Sequence, residues 1–197
     1  MSLILASNSA ARKAILTGAG VAFAAQGAEV DEAAEKTRLL AEGAGPADVA
    51  QALAGLKALA VSRARPGAWV LGSDQTLEFQ GRLFDKAASA EEAGDRLRML
   101  RGHAHQLHSG VALARDGHLD WTGRDSARLH VREVSEDFLT DYLAAEGEAL
   151  TSCVGGYRLE GLGAQLFERV EGDYFTVLGM PLWPVLAALR ERGVIAL

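Results

Sequence analysis

The spacing of hydrophobic residues divides the chain into segments typical of strands and segments typical of helices. Short apolar or alternating runs predict strands at residues 3–6, 21–25, 69–72, 76–79, 82–84, 107–114, 118–131 and 166–170. Apolar residues at helical spacing predict helices at residues 9–17, 46–64, 89–100, 135–145 and 181–192. Gln80-Gly81 and Asp116-Gly117 separate neighbouring strands and indicate hairpins. Because strands alternate with helices and hairpins also occur, the pattern predicts an α/β fold with a mixed sheet.

Length and composition allow this fold to bury a large core. The chain has 197 residues, of which 49% are hydrophobic, and this suits one large domain or two small lobes. Residues 41–47 are the most linker-like segment, but no separable linker is evident, so we expect a single domain over residues 1–197. The net charge of −6 gives no sign of a basic face for a nucleic-acid backbone. The charge does not argue against a small anionic substrate, because a few well-placed cations are enough to bind one.

The sequence also predicts a cytoplasmic protein. Cys153 is the single cysteine, so no internal disulfide can form, which fits a reducing compartment. No basic segment followed by a long apolar run opens the chain, which argues against a signal peptide. No apolar stretch reaches the roughly 18 residues that a membrane span needs.

Ser7-Asn8-Ser9 follows the first predicted strand and opens the first predicted helix. A helix start presents unpaired backbone N–H groups and a partial positive charge, so a phosphate fits there. Arg12 lies three residues into the helix and can reach the same anion. An ordinary capped helix with a solvated arginine explains the same residues, and helix caps are common. The pattern alone leaves both interpretations open.

Two acidic motifs suggest a cation or an activated water. Gly72-Ser73-Asp74-Gln75 is predicted at the carboxyl end of a strand, where ligands bind in α/β sheets. Asp74 there can hold a divalent cation or activate a water, although a turn aspartate bound to its own backbone is an equal alternative. Val30-Asp31-Glu32 follows a predicted strand and loop, and its oxygen donors suit magnesium. A solvated acidic turn also explains that second motif.

Other polar residues carry weaker signals. The chain contains four lysines, each able to act as a point-charge phosphate ligand or to be an ordinary surface residue: Lys13, Lys36, Lys57 and Lys86. Residues 155–163 form a glycine-rich loop, in which Glu160 can accept hydrogen bonds from a nucleobase edge. His103 and His105 would share a strand face, but no zinc-like cysteine set or His-Glu-x-x-His motif accompanies them. Cys153 is better explained as a core residue than as a nucleophile.

Taken together, these segments resemble the Maf family of nucleotide pyrophosphatases over nearly the whole chain. The matching segments are residues 3–9 with Arg12, 30–32, 57–58, 72–75, 84–86, Gly161, 172–174 and 178–182. Several ordered motifs at compatible spacing are far more specific than any one of them. The resemblance implies a two-lobed, mixed-sheet α/β fold of the Maf and ITPase-like type, with a cleft between the lobes. It also implies a homodimer in many members.

The same resemblance implies hydrolysis of a nucleoside triphosphate to the monophosphate and pyrophosphate, with a divalent metal cation, Mg or Mn, as cofactor. Asp74 would accept the proton or hold the metal-bound water, and Glu32 would help to bind the metal. The triphosphate would be bound by Ser7, Ser9, Arg12, Lys57 and Lys86, and the base would be selected by Arg12, Gln75 and Glu160. Cations that neutralise phosphate oxygens and a carboxylate that orients water suit this reaction.

The chain departs from the commonest Maf pattern at positions that bear on substrate choice. Gln75 stands where many members have threonine, and Arg101 and His103 replace a serine and a lysine. Residues 151–156 replace a lysine-alanine-glycine run. Glu160 stands where pyrimidine-preferring members have glutamine. Gln75 with Glu160 looks more like the subgroup that acts on 7-methylguanosine triphosphate, and a carboxylate can accept from guanine N1–H and N2–H.

A second class of function is a nucleotide-sensing or cell-division regulatory protein with little catalysis, since the family name is associated with septum formation. The full set of charged motif residues argues against such a degenerate site. We therefore expect an enzyme that removes non-canonical or modified nucleotides.

Overall fold

A computed structural model describes residues 2–196; the ends of the predicted domain, Met1 and Leu197, lie outside the described residues. The strands are β1 (Leu3–Ala6), β2 (Ala24–Ala25), β3 (Trp69–Phe79), β4 (Arg82–Phe84), β5 (Ala104–Arg115), β6 (His118–Val131) and β7 (Phe167–Glu171). The α-helices are α1 (Ala10–Gly18), α2 (Glu32–Ala41), α3 (Pro46–Ala64), α4 (Ala90–Leu100), α5 (Glu136–Glu146), α6 (Tyr174–Val177) and α7 (Leu182–Glu191). Short 3-10 helices span Gly147–Thr151 and Leu162–Leu166.

The strands form one mixed sheet in the order β2-β1-β3-β5-β6-β7, and β4 pairs with β3. Strand β1 is parallel to both β2 and β3, whereas the remaining pairs are antiparallel. The predicted α/β class, the mixed sheet and both hairpins are confirmed. No helix within residues 2–196 has the length and apolar character needed to cross a membrane.

Some predicted strands need correction, and two α-helices, α2 and α6, were not predicted. The strands predicted at 69–72 and 76–79 form one continuous strand, because residues 69–78 pair without interruption with β5. Asp74 therefore lies within a strand and not at its carboxyl end. The strand predicted at 21–25 is reduced to Ala24–Ala25. Helix α2 was not predicted: none of its residues is buried, so its sequence lacks the apolar stripe that marks a packed helix.

Side chains of β1 and β3 alternate between the two faces of the sheet, as the pleat requires. On one face, Leu5 and Leu71 pack with residues of α1 and α7. On the other face, Ile4 and Val70 pack against α3. Further along β3, Leu77 belongs to a third cluster beneath α4 and α5. The middle of β3 thus lies between two parts of the core, which gives the molecule its two lobes.

Two glycines let α3 lie unusually close to the sheet. A Cβ at Gly72 would meet the carbonyl oxygen of Ala54 at 2.1 Å, and one at Gly110 would meet the carbonyl carbon of Ala50 at 2.4 Å. Gly110 is the cross-strand partner of Asp74. The absence of these side chains therefore brings the α3 backbone over the strand that carries Asp74.

Candidate active site

Strand β3 lacks a neighbour on one side along residues 73–76. Within the described chain, β1 ends opposite Gly72, and β4 begins its pairing at Leu77. A cavity of about 1100 Å³ lies beside this gap, lined on one flank by Ala6 and on the other by Phe84. The interruption in strand pairing therefore leaves the polar middle of β3 facing open space between the lobes.

The cavity brings together every residue predicted for the site. Its walls include Ser7, Ser9, Arg12, Glu32, Lys57, Asp74, Gln75, Lys86 and Glu160. They come from α1, α2, α3, β3, the β4–α4 loop and the glycine-rich loop, so the fold joins residues far apart in sequence. Their convergence supports the predicted site, while the role of each residue stays a prediction.

An ion-paired cluster occupies one wall of the cavity. The Nζ atom of Lys57, on α3, lies 2.6 Å from Oδ1 of Asp74 and 2.8 Å from Oε2 of Glu32. Lys57 and Asp74 are buried, whereas the Glu32 side chain is about half exposed. Asp31 does not join them: it caps α2 by accepting a hydrogen bond from Ala34 N at 2.9 Å. One ammonium thus holds two carboxylates from different elements close together.

Arg12 reaches across the cavity wall and does not extend into solvent. Its Nε donates to the Gly179 carbonyl at 2.9 Å, and its Nη1 donates to the Ser73 carbonyl at 2.8 Å. Burial lowers the pKa of Arg12, and the charges of Asp74 and Glu32 oppose that shift. The guanidinium therefore brings a positive charge into the site with its geometry fixed by backbone acceptors.

The Ser-Asn-Ser motif at the start of α1 fits both interpretations, a helix cap and a phosphate site. Ser9 is the N-cap and accepts from Arg12 N at 3.4 Å. Ser7 Oγ accepts from Ser9 N at 3.2 Å and from Arg12 Nη1 at 3.3 Å. Because both bonds use the oxygen as an acceptor, the Ser7 hydroxyl hydrogen is available to donate to an anion. The motif is a helix cap whose geometry also suits phosphate.

Gln75 and Glu160, two of the three residues predicted to select the base, differ in their surroundings. Gln75 Nε2 lies 3.0 Å from the carbonyl oxygens of Thr176 and Val177 and 3.1 Å from Ser109 Oγ. Its amide hydrogens are therefore taken up inside the protein. Glu160 is exposed on the cavity wall.

Among the residues with weaker sequence signals, some line the cavity and others do not. Lys36, one of the four candidate lysines, lines the cavity although it was left out of the predicted triphosphate-binding set; its position one helical turn after Glu32 would have placed both on one face had α2 been predicted. Lys13 does not line it. His105 is buried and hydrogen-bonded to the Tyr157 hydroxyl. Burial, with a smaller contribution from a neighbouring histidine, lowers the pKa of His105 to about 3. No three metal-binding side chains cluster within residues 2–196.

Comparison with known proteins identifies the family of this chain. A family model described as "Maf-like protein" matches residues 2–192. The chain belongs to the Maf family. The match includes all residues of the candidate site, from Ser7 to Glu160.

Similar proteins of matching length are known from several bacteria. A nucleoside triphosphate pyrophosphatase of Caulobacter vibrioides is 53% identical, over 97% of this chain and 96% of that protein. A nucleoside triphosphate pyrophosphatase of Granulibacter bethesdensis is 51% identical, over 98% of each chain. A 7-methyl-GTP pyrophosphatase of Rhizobium meliloti is 48% identical, over 98% of this chain and 97% of that protein.

Proposed function

We propose that this Maf protein hydrolyses a nucleoside triphosphate to the monophosphate and pyrophosphate. The observation that carries the proposal is the cavity in which Asp74 lies beside Lys57 and near Arg12. The reaction breaks the anhydride bond between the α- and β-phosphates with water, so it needs cations around the phosphates and an acceptor for the water's proton. Similarity to full-length relatives named as nucleoside triphosphate pyrophosphatases supports the same activity.

Asp74 is the proton acceptor in this proposal. Its position in the middle of β3 fixes its backbone, and the Lys57 ammonium at 2.6 Å fixes one carboxylate oxygen. The other oxygen can then accept a hydrogen bond from the attacking water and orient it. A carboxylate held in this way needs little reorganisation when the proton moves.

The phosphate chain lies along the start of α1 and the lysines. Ser7, Ser9 and the first N–H groups of α1 donate to phosphate oxygens, as helix starts commonly do. Arg12 adds a positive charge, and Lys57 and Lys86 approach from α3 and from the loop that follows β4. Residues on both sides of the cleft thus contribute cations.

A divalent cation, Mg or Mn, is part of the proposal, and the residues present fit it. Glu32 and Asp74 place carboxylate oxygens around one nitrogen of Lys57, and Mg²⁺ commonly takes one or two carboxylates with water and substrate phosphates. Glu32 and Asp74 would hold the ion. Bound there, it would offset charge on the phosphate oxygens.

For the base, we propose a modified purine, with 7-methylguanosine triphosphate as the first candidate. Glu160 is exposed on the cavity wall and can accept from guanine N1–H and N2–H. Gln75 was also predicted to select the base, but its amide nitrogen is occupied by Thr176, Val177 and Ser109, so the choice of base in this proposal rests on Glu160. A full-length relative named 7-methyl-GTP pyrophosphatase supports this candidate. The cellular role that we propose is removal of modified nucleotides in the cytoplasm.

Product analysis tests the proposal. The purified protein is incubated with canonical and methylated nucleoside triphosphates, with magnesium, with manganese, and with a chelator. We expect monophosphate and pyrophosphate in equal amounts, fastest with 7-methylguanosine triphosphate, and no turnover with the chelator. Release of single phosphate would contradict the reaction. Nucleotide-dependent thermal stabilisation without any product would instead favour the sensing function.

Glu32→Gln tests the metal separately. We expect the magnesium concentration for half-maximal activity to rise about tenfold or more, because the ion loses one charged ligand. Glu35→Gln is the matched control, since Glu35 lies on the same helix and pairs with Arg38. Unchanged magnesium dependence in Glu32→Gln would remove Glu32 from the metal site.

A further inference from the structure

Lys36 lies on α2 one turn after Glu32, and both side chains line the cavity. Its ammonium pairs with the carboxylate of Asp85, in the loop between β4 and α4. The exposed fractions differ sharply: 18% for the Lys36 side chain and 77% for that of Asp85. The lysine is therefore the inner member of this pair and the aspartate the outer one.

The surroundings of Lys36 are those of a cation that belongs to the site. Burial lowers its pKa, while the charges of Asp74 and Glu32 oppose that shift. The ammonium thus lies near both carboxylates of the proposed catalytic cluster. A cation removed from water in this way gains most from a multiply charged anion.

Two ion pairs join helix α2 to the rest of the molecule on the side that faces the cavity. No residue of α2 is buried, and its cavity side carries the Glu32–Lys57 and Lys36–Asp85 ion pairs. The second pair crosses from α2 to the loop that carries Lys86 on the far side of the cavity. A phosphate between the two walls could therefore contact Lys36 and Lys86 together.

We propose that Lys36 is a further triphosphate-binding residue and that Asp85 is its partner only while the site is empty. A phosphate oxygen replaces the Asp85 carboxylate on the Lys36 ammonium, and the displaced carboxylate, already mostly exposed, turns to water. Asp85 acts as an internal competitor that weakens binding of the anion. This inference rests on the proposed function, because it names a ligand of the same site.

A double-mutant cycle tests the exchange. The variants are Lys36→Gln, Asp85→Asn and the double substitution, with Lys36→Arg as the charge-preserving variant. Lys13→Gln is the matched control, because Lys13 is a partly buried lysine that does not line the cavity. Each protein is titrated with tripolyphosphate by calorimetry without metal, and KM and kcat are measured with the preferred nucleotide and magnesium.

The two single variants should move binding in opposite directions. Lys36→Gln should weaken tripolyphosphate binding and raise KM by about tenfold, with kcat changed less than about threefold, because uniform binding is lost. Asp85→Asn should tighten binding by about threefold or more, and this gain should vanish in the Lys36→Gln background. Lys36→Arg should retain most of the affinity, and Lys13→Gln should match the parent protein.

Two results would overturn the inference. One is unchanged tripolyphosphate affinity in Lys36→Gln; the other is weaker binding in Asp85→Asn, which would show that the ion pair supports anion binding and does not compete with it. Failure of the proposed function is distinguishable, since the parent protein would then bind tripolyphosphate without releasing pyrophosphate from any nucleotide.

Discussion

Lys57 and Asp74 form a buried ion pair of 2.6 Å that joins the long helix α3 to the middle of the central strand β3. The pair exists because glycines at positions 72 and 110 let the α3 backbone approach the sheet. Glu32 completes the cluster from α2. The chemistry proposed for this protein depends on that close approach.

Removing the proton acceptor should stop turnover without unfolding the protein. Asp74→Asn keeps the size of the side chain and a hydrogen-bonding oxygen for Lys57, but the amide is a poor base. We expect kcat to fall by about 10² to 10⁴. Initial rates of pyrophosphate release measure this, and thermal unfolding checks the fold.

The matched control for that variant is Asp48→Asn. Asp48 lies on α3, is exposed, and pairs with Arg124 away from the cluster. Its substitution should leave the rate unchanged. Activity near the parent level in Asp74→Asn would remove Asp74 from the role of acceptor.

Adding one methyl group at Gly72 should separate α3 from the sheet. The new Cβ would meet the Ala54 carbonyl oxygen at 2.1 Å and the Ala58 nitrogen at 2.8 Å, so the helix must shift. We expect Gly72→Ala to cost about 1–3 kcal/mol of unfolding free energy or more, and to lower kcat through the Lys57–Asp74 geometry. Urea unfolding gives the stability, and pyrophosphate release gives the rate.

Gly18→Ala is the control for packing. Gly18 is the last residue of α1, and a Cβ there would meet nothing within 4 Å. This substitution should be neutral or stabilise the protein by up to about 1 kcal/mol. Equal stability of the two variants would show that the close approach of α3 is not needed.

Replacing Gln75 should affect stability before it affects base choice. Gln75→Leu removes the donor shared by the carbonyls of Thr176 and Val177, which we expect to cost about 1–3 kcal/mol. Since the amide nitrogen is occupied internally, kcat/KM should fall by a similar factor for GTP and 7-methyl-GTP. Gln165→Leu, a substitution of the same kind at an exposed position, serves as the control. A changed ratio between the two nucleotides would instead show that Gln75 reads the base.

The buried His105 should make stability fall in mild acid. Its pKa is about 3 in the folded protein and about 6.5 when unfolded, so between these values the unfolded chain binds more protons. Its contribution is fully present above about pH 6.5 and is lost as the pH falls toward 3, by up to about 1.4 kcal/mol per pH unit.

The comparison that isolates this effect is His105→Gln, which keeps a hydrogen-bonding group for Tyr157 but does not titrate. Its unfolding free energy, measured by urea at pH 4 to 7, should depend less steeply on pH than that of the parent protein. His118→Gln, at an exposed position of the β5–β6 hairpin, should retain the parent slope. Parallel curves for parent and His105→Gln would contradict the assignment.

Most local elements and most residues of the candidate site can be predicted from the sequence. Apolar spacing predicted α3 over its observed bounds, and turn residues predicted both hairpins. These signals are local, because period and turn chemistry depend on neighbours in the chain. The ordered motifs single out Asp74, Lys57 and Glu32 without any knowledge of their contacts, and the family match spans all three residues.

The arrangement of these residues depends on the tertiary structure and could not be predicted. Asp74 lies within a strand because β5 pairs along the whole of β3, and the cavity opens there because β1 and β4 leave residues 73–76 without a neighbour. Helix α2 could not be predicted from hydrophobic spacing because it buries no residue. The position of Lys36 on the same helix face as Glu32 could therefore not be predicted either. These contacts join residues that are distant along the chain. The hydrophobic periodicity of one segment does not indicate which other segment packs against it.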